Sequence, residues 1–326
     1  ACSKPEAPAQ PAPGGDQSAA PGTAKPAKRL SIAVIPKGTS HTFWKTVQEG
    51  VAKAGQELGV EVIWKGPMTE NDREAQIKIM EDFISRRVDG ISLAPLDDTA
   101  LRMPVQNAIR SGIPVVIFDS DLKSDDYVSF VASDNYKCGV MAGEEMARLL
   151  NGQGRVMVLR FNEGSASTTK REQGFLDVIA KNPGIKVVSS NQFGGATGET
   201  CYRSAENLIS PLRQPDGSLA VDGIFCPNEP TVFGMLRALQ DIGAAGKVKL
   251  IGVDTTTLLL DSMRKGEIAA LVSQDPRKMG YLAVKVMLDH LNGAPVEKRV
   301  DTGATLITSA NIDSPEIQAL TAPPKN

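Results

Sequence analysis

The sequence predicts an α/β protein built from two doubly wound, parallel-sheet domains with a ligand cleft between them. Three observations carry this. From Leu30 to about residue 307, short apolar runs alternate with segments of helical period, which requires βαβ crossovers and parallel strands. The strands outnumber what one sheet of this length usually holds, so two sheets fit better. Polar and charged residues stand directly after the strands, where open parallel sheets bind their ligands.

The first unit sets the pattern. Leu30, Ile32, Ala33, Val34 and Ile35 form an apolar run that Pro36 and Gly38 end. Phe43, Val47, Val51, Ala54 and Leu58 then recur at helical spacing. Between them lie Lys37, His41 and Trp44: a cation, a titratable ring and a large flat ring. Phe43 falls on the apolar stripe, and Trp44, about 100° further round, is the better candidate to face a ligand. A strand follows over 60–64. Asn71 or Asp72 is placed to cap a helix whose Ile77, Met80, Phe83 and Ile84 share a face. Residues 90–94 form a strand closed by Pro95, and Asp97 or Thr99 starts a helix through Ile109. Strands over 113–118 and 127–132 follow, the first ending in Asp119-Ser120-Asp121 and the second in Ser133-Asp134-Asn135.

The second half repeats the rhythm. Helices are predicted near 136–150, 168–181, 197–210, 230–242, 257–265 and 277–291. Strands are predicted near 155–159, 185–190, 222–226, 248–253 and 268–273, with two short ones between 297 and 307.

Composition narrows the function. The chain has 326 residues, a formal net charge of -2, 41% hydrophobic and 23% charged residues. That is long enough for two cores and gives no basic field for nucleic acid. No apolar run approaches the roughly 20 residues that span a bilayer. The two histidines, His41 and His290, lie far apart without zinc spacing, so no metal is expected. Residues 1–29 contain no large apolar residue and are expected to form a disordered tether. Cys138, Cys201 and Cys226 lack CxxC spacing and read as small core hydrophobes, although pairing among them or with Cys2 stays open.

Catalytic patterns are weak. There is no P-loop, no GxGxxG after a strand and no GxSxG elbow, so neither a cofactor nor an enzyme is expected. Gly194 to Thr200 reads as a glycine-rich strand-to-helix turn. The acidic run from Asp119 to Asp126 lacks the glycine and glutamate of a calcium loop, and the charges from Glu70 to Glu74 read as a helix face. What remains is a set of strand-end groups: Lys37, His41, Asp119, Ser120, Asp134, Asn135, Asn228, Glu229, Asp254 and Gln274, with Arg171 in the first turns of a helix. Carboxylates, amides and a guanidinium are the groups that hold hydroxyls and carbonyls.

Six motifs carry a likeness to a known family. They are V-A-S-D-N at 131–135, K-R-E-Q-G-F at 170–175, V-D-G-I-F-C-P-N-E at 221–229, L-R-A-L-Q-D-I-G at 236–243, I-G-V-D at 251–254 and S-Q-D-P-R-K-M-G at 273–280. In this order they resemble the periplasmic sugar-binding proteins of ABC importers, the ribose-binding type related to the lactose-repressor core. The resemblance implies two Rossmann-like lobes joined by a three-stranded hinge, closing on a small polyhydroxy ligand. It implies an amino-terminal lobe of 30–133 plus 275–303 and a carboxy-terminal lobe of 134–274 plus 304–320. It carries ligand contacts onto Phe43, Trp44, Asp119, Arg171, Asn228, Asp254 and Gln274. The chain departs from the ribose pattern at Lys37, His41, Ser120 and Gly194-Gly195, and Lys37 resembles a rhamnose- or autoinducer-binding branch. The expected ligand is a polyol, a deoxy sugar or a sugar bearing a carbonyl or acidic group. Lys37, His41, Ser120 and Asn135 complete the candidate site.

Ala1-Cys2-Ser3 ahead of a polar tether is similar to a processed bacterial lipoprotein. We expect a removed signal peptide, lipid on Cys2, and an extracytoplasmic, membrane-anchored monomer that delivers its ligand to permease subunits. The competing roles are a sensory binder docking a chemoreceptor or kinase, a repressor core, and an α/β enzyme. A repressor needs a DNA-binding headpiece, and residues 1–29 offer neither its pattern nor its basic charge.

Overall fold

Two six-stranded sheets organise the chain in a computed structural model that describes residues 1–4, 8 and 29–324. The expected tether falls mostly outside those residues. Arg29 already holds to the fold, donating from Nε to Gly59 O at 3.0 Å and from Nη2 to Val60 O at 3.1 Å.

The first half runs β1 (Ser31–Ile35), α1 (Thr42–Leu58), β2 (Glu61–Trp64), α2 (Arg73–Ser85), β3 (Gly90–Leu93), α3 (Arg102–Arg110), β4 (Val115–Phe118) and β5 (Ser129–Ala132). Then come α4 (Asn135–Leu149), β6 (Gly154–Arg160), α5 (Ala166–Ala180), β7 (Ile185–Phe193), α6 (Gly198–Ile209), β8 (Gly223–Cys226), α7 (Glu229–Asp241) and β9 (Lys249–Val253). The chain ends with α8 (Thr257–Arg264), β10 (Ala270–Gln274), α9 (Pro276–Leu291), β11 (Arg299–Asp301), β12 (Ala304–Thr308) and α10 (Pro315–Leu320).

The sheet orders are β2-β1-β3-β4-β5-β11 and β7-β6-β8-β9-β10-β12. They are the same winding used twice, with the order reversing beside β1 and β6, where a doubly wound sheet opens a crevice. Among the strands of the described residues only β12 runs antiparallel to its neighbour, β10. The two short strands expected near the end part company: β11 pairs with β5 in the first sheet and β12 with β10 in the second.

Alternation along each strand feeds two layers of helices. In the first lobe, Ala33 and Ile35 pack towards α2 and α3, and Ile32 and Val34 towards α1 and α9. In the second, Met157 and Leu159 face α6, α7 and α8, and Val156 and Val158 face α4 and α5. The thiols of Cys138, Cys201 and Cys226 are free and buried in the second lobe. Burial pushes Cys138 up to about 11 and Cys201 to about 12, as suits unreactive core residues.

Three crossings join the lobes: β5 to α4, β10 to α9 and β11 to β12. Ser133 Oγ ties two of them, 3.1 Å from Thr302 Oγ1 and 2.7 Å from Gly303 O. In each lobe two helices cross at glycine. A Cβ on Gly50 or Gly280 would sit 2.0–2.1 Å from a carbonyl of the facing helix in the α1–α9 pair, and Gly139 and Gly174 do the same for α4 and α5 at 1.9 and 2.2 Å. The start of α3 is the one most delayed relative to what its sequence predicts. Asp97 Oδ1 accepts from Thr99 N at 2.9 Å and Ala100 N at 2.8 Å. This local turn competes with the helix, so α3 begins at Arg102, with Pro104 in its first turn.

Candidate ligand-binding site

The site is built from the loops after β1, β4, β6, β8, β9 and β10, at the carboxyl edges of both sheets. Gln76 fixes the first loop: its Nε2 donates to Pro36 O (3.0 Å) and Ala94 O (2.8 Å), and its Oε1 accepts from Leu96 N (2.9 Å). Lys37 thereby enters the cleft buried. Its Nζ lies 3.3 Å from Asp119 Oδ2 and donates to Ser167 Oγ at 2.9 Å and Ser165 Oγ at 3.3 Å across the cleft.

Two aspartates occupy equivalent places in the two lobes. Asp119 follows β4 with φ 61°, and Asp254 follows β9 with φ 77°. Each donates its N–H to the neighbouring strand, Asp119 to Val131 O at 3.0 Å and Asp254 to Val272 O at 2.9 Å. The left-handed backbone is the conformation Asp and Asn tolerate among non-glycine residues. Such outliers concentrate at functional sites.

A second cluster sits beside Lys37. Glu70 Oε1 accepts from Trp44 Nε1 at 2.7 Å and lies 2.9 Å from His41 Nδ1. Burial works against the Glu70 carboxylate, but His41, Lys37 and Trp44 outweigh it and hold its carboxyl below the usual range. Burial likewise opposes the imidazolium, and Glu70 outweighs it, so His41 lies above its usual value. The reading of Glu70 as part of a solvated helix face is therefore corrected. It precedes α2, is buried, and has the ring nitrogens of His41 and Trp44 as partners.

From the second lobe, Arg171 Nε donates to Asn135 Oδ1 at 2.8 Å and Nη1 to Pro227 O at 2.9 Å, with Nη1 4.0 Å from Asp254 Oδ2. Gln274 Nε2 donates to Asp254 Oδ1 at 2.8 Å. Glu229 donates its N–H to Asp254 Oδ2 at 3.1 Å. Its carboxylate accepts from Thr42 N and Phe43 N of the first lobe. Burial pushes the Glu229 carboxyl up, against the pull of those N–H groups and of His41. Asp119 is likewise raised by burial, against Lys37 and Arg171.

These groups line a tight chamber with a cavity volume of about 20 Å³, room for about one water with the lobes this close. Nine predicted residues line it: Lys37, His41, Phe43, Trp44, Asp119, Arg171, Asn228, Asp254 and Gln274. Ser120 and Asn135 lie just behind. Ser120 Oγ accepts from Ser167 N at 3.1 Å, and Asn135 bridges Arg171 and Asp119 O. Glu70, Ser167, Thr168, Glu229 and Pro230 also line the space; of these, sequence reasoning had singled out only Glu229, as a strand-end group. The division expected between Phe43 and Trp44 is reversed in burial. Trp44 is 2% exposed and sits edge-on to Phe118 in the core, whereas Phe43 is only partly buried. The other acidic neighbours serve the fold: Asp121 accepts from Tyr127 Oη, and Asp134 caps α4 through Lys137 N.

This geometry defines a two-lobed binder with a polar chamber at the lobe interface. The family profile described as a periplasmic binding protein domain matches residues 32–295, and the chain belongs to that family. It is 28% identical over 286 residues to the D-allose-binding periplasmic protein of Escherichia coli K12, covering 83% of this chain and 90% of that one. A carbohydrate transporter solute binding protein of Agrobacterium radiobacter, solved with D-arabinose, is 33% identical. It superposes with a TM-score of 0.84 over 90% of this chain and 99% of that one. An ABC transporter solute binding protein of Agrobacterium vitis with bound D-fucose is 34% identical, with a TM-score of 0.84 over 89% and 99%.

Proposed function

We propose that the protein captures a neutral sugar or polyol by closing its lobes and delivers it to an ABC permease. The observation that carries this is Gln274 Oε1, a buried acceptor in the chamber wall with no partner among the described residues. An orphaned buried acceptor is costly, and a ligand hydroxyl would satisfy it beside the carboxylates of Asp254 and Asp119. Acid sugars fit less well. Lys37, Arg171 and His41 already stand against Asp119, Asp254 and Glu70, and Glu229 adds a further carboxylate. The sugar-bound relatives support the same reading.

The test is a thermal-shift screen of pentoses, deoxyhexoses, hexoses, polyols and sugar acids, because a ligand that binds only the folded state raises Tm by mass action. A neutral compound should give the largest rise. A rise confined to sugar acids would overturn the neutral-ligand reading, and no rise with any compound would overturn sugar capture itself. We further place the protein outside the cytoplasm on a lipid anchor at Cys2, which is exposed. Cys2→Ser should then move the protein from the membrane fraction to the soluble fraction, and an unchanged partition would refute the anchor.

A further inference from the structure

The helices that follow the equivalent strands β1 and β6, α1 and α5, start without a side-chain cap of their own. At α1 the capping position is His41, which makes no side-chain cap bond, and the first turn holds no acidic residue. At α5 it is Ser165, which makes none either and instead accepts from Lys37 Nζ. Local side-chain caps stand at Asp72, Asp134, Thr197 and Asp275, whereas α3, which starts after Leu101, has none. The amino end of a helix presents N–H groups with no intrahelical acceptor, and they carry partial positive charge.

The caps missing at α1 and α5 come from the opposite lobe. Glu229, the first residue of α7, places its two carboxylate oxygens 3.2 Å from Thr42 N and 3.0 Å from Phe43 N, at the start of α1. Ser120, after β4, accepts from Ser167 N at 3.1 Å in the first turn of α5. Helices α1 and α5 follow the equivalent strands β1 and β6, so the exchange is reciprocal. A local cap would satisfy these donors whether the lobes are apart or together. A cap supplied across the cleft forms only when they meet.

We propose that reciprocal capping of α1 by Glu229 and of α5 by Ser120 is the device that holds the closed lobes together, with both residues acting as positioning residues. The ligand it retains rests on the sugar-capture reading above; the geometry does not. Thr42→Pro isolates the first half. Proline is tolerated at the first helical position, and His41 has the extended backbone (φ -75°, ψ 151°) that a residue before proline requires. The substitution removes the Thr42 N–H and leaves the chamber wall untouched, while Thr42→Ala keeps the N–H. Ser120→Ala removes the other acceptor.

Stopped-flow dissociation of the best compound from the thermal-shift screen should be about five- to tenfold faster in Thr42→Pro and in Ser120→Ala, the range expected for a lost cap. It should be faster still in the double variant, and unchanged in Thr42→Ala. Unliganded Tm should stay within a degree or two of the wild type throughout. Dissociation at the wild-type rate in the double variant would overturn the proposal, as would a Tm loss that fully accounts for the faster rate. If no compound shifts the wild-type Tm, sugar capture has failed separately. Small-angle scattering of the unliganded proteins then decides: a larger radius of gyration in the double variant supports the device, and equal radii overturn it.

Discussion

Asp254 shows what a single residue can be asked. Its backbone is left-handed at φ 77°, and its two oxygens accept from Gln274 Nε2 and Glu229 N. Asn tolerates that backbone and Ala does not, at a cost of roughly 1–2 kcal/mol. Asp254→Asn should therefore weaken ligand binding at least about tenfold, as expected for loss of a charge-assisted acceptor, and lower the unliganded Tm less than Asp254→Ala, since it gives up one of the two acceptors but keeps the backbone. Asp254→Ala should lose both. Calorimetry and thermal melts separate the two effects, and wild-type affinity in the Asn variant would remove Asp254 from the site. The His41–Glu70 pair gives a pH prediction. His41 is raised, so its contribution is complete below its unfolded value of 6.5 and fades as pH climbs through the raised midpoint. Glu70 is lowered, so its contribution holds above 4.5 and fades as pH falls through the lowered midpoint. The Tm difference between wild type and Glu70→Gln should therefore peak at about pH 5–6 and shrink on both sides. A difference independent of pH would show that the pair is not ionic. Strand-end position made Asp119, Asn228, Asp254 and Gln274 readable from sequence, and the family resemblance added Arg171 on α5. Glu70 was not, because it lies in a segment between β2 and α2, and only the fold brings His41 and Trp44 onto it.

At the scale of elements, apolar periodicity placed the strands and helices because each strand feeds two covered faces and each helix one. It misplaced the start of α3, where the Asp97 side chain takes two N–H groups that a helix would have used. It also could not separate β11 from β12, since two three- to five-residue strands with one turn between them carry no signal for which sheet each joins. The glycine crossings were equally silent, because a glycine in a helix marks close approach only when the partner helix is known. They lead to a paired test. Gly139→Ala drives a methyl towards Arg171 O on α5, and Gly50→Ala drives one towards Arg277 O on α9, each well inside contact distance. Overpacking of this kind costs about 1–3 kcal/mol, so both should lower Tm by several degrees. The first displaces the helix that carries Arg171 and the second the helix that carries Phe43 and Trp44, so Gly139→Ala, which moves the charged group, should weaken ligand binding the more. Equal affinity losses would mean that the α4–α5 crossing does not position Arg171.

In the whole molecule the lobes stand closed, and one loop makes much of the seam. Asn162 Nδ2 donates to Glu70 O at 3.2 Å, Glu163 O accepts from Arg73 Nη2 at 3.0 Å, and Gly164 O accepts from Asp98 N at 3.0 Å. Most of these partners are main-chain atoms, which every residue type possesses, so no sequence pattern announces them. Lys37 joins the seam from inside, holding Asp119 in its own lobe and Ser165 and Ser167 in the other. Rim and interior contacts should therefore separate on substitution. Arg73 is about half exposed and lies outside the chamber wall, so Arg73→Ala should speed ligand release only a few-fold, in line with the small worth of exposed polar pairs. It should leave the order of preference among sugars unchanged. Lys37→Met strips the buried Asp119 of its ammonium partner, a change that typically costs about 3–5 kcal/mol. It should lower the unliganded Tm, slow closure and reorder the sugar panel together. Stopped-flow kinetics and the thermal-shift panel on both variants decide the matter: a reordered panel in Arg73→Ala, or an unaltered order in Lys37→Met, would show that closure and ligand choice are not divided between rim and interior in this way.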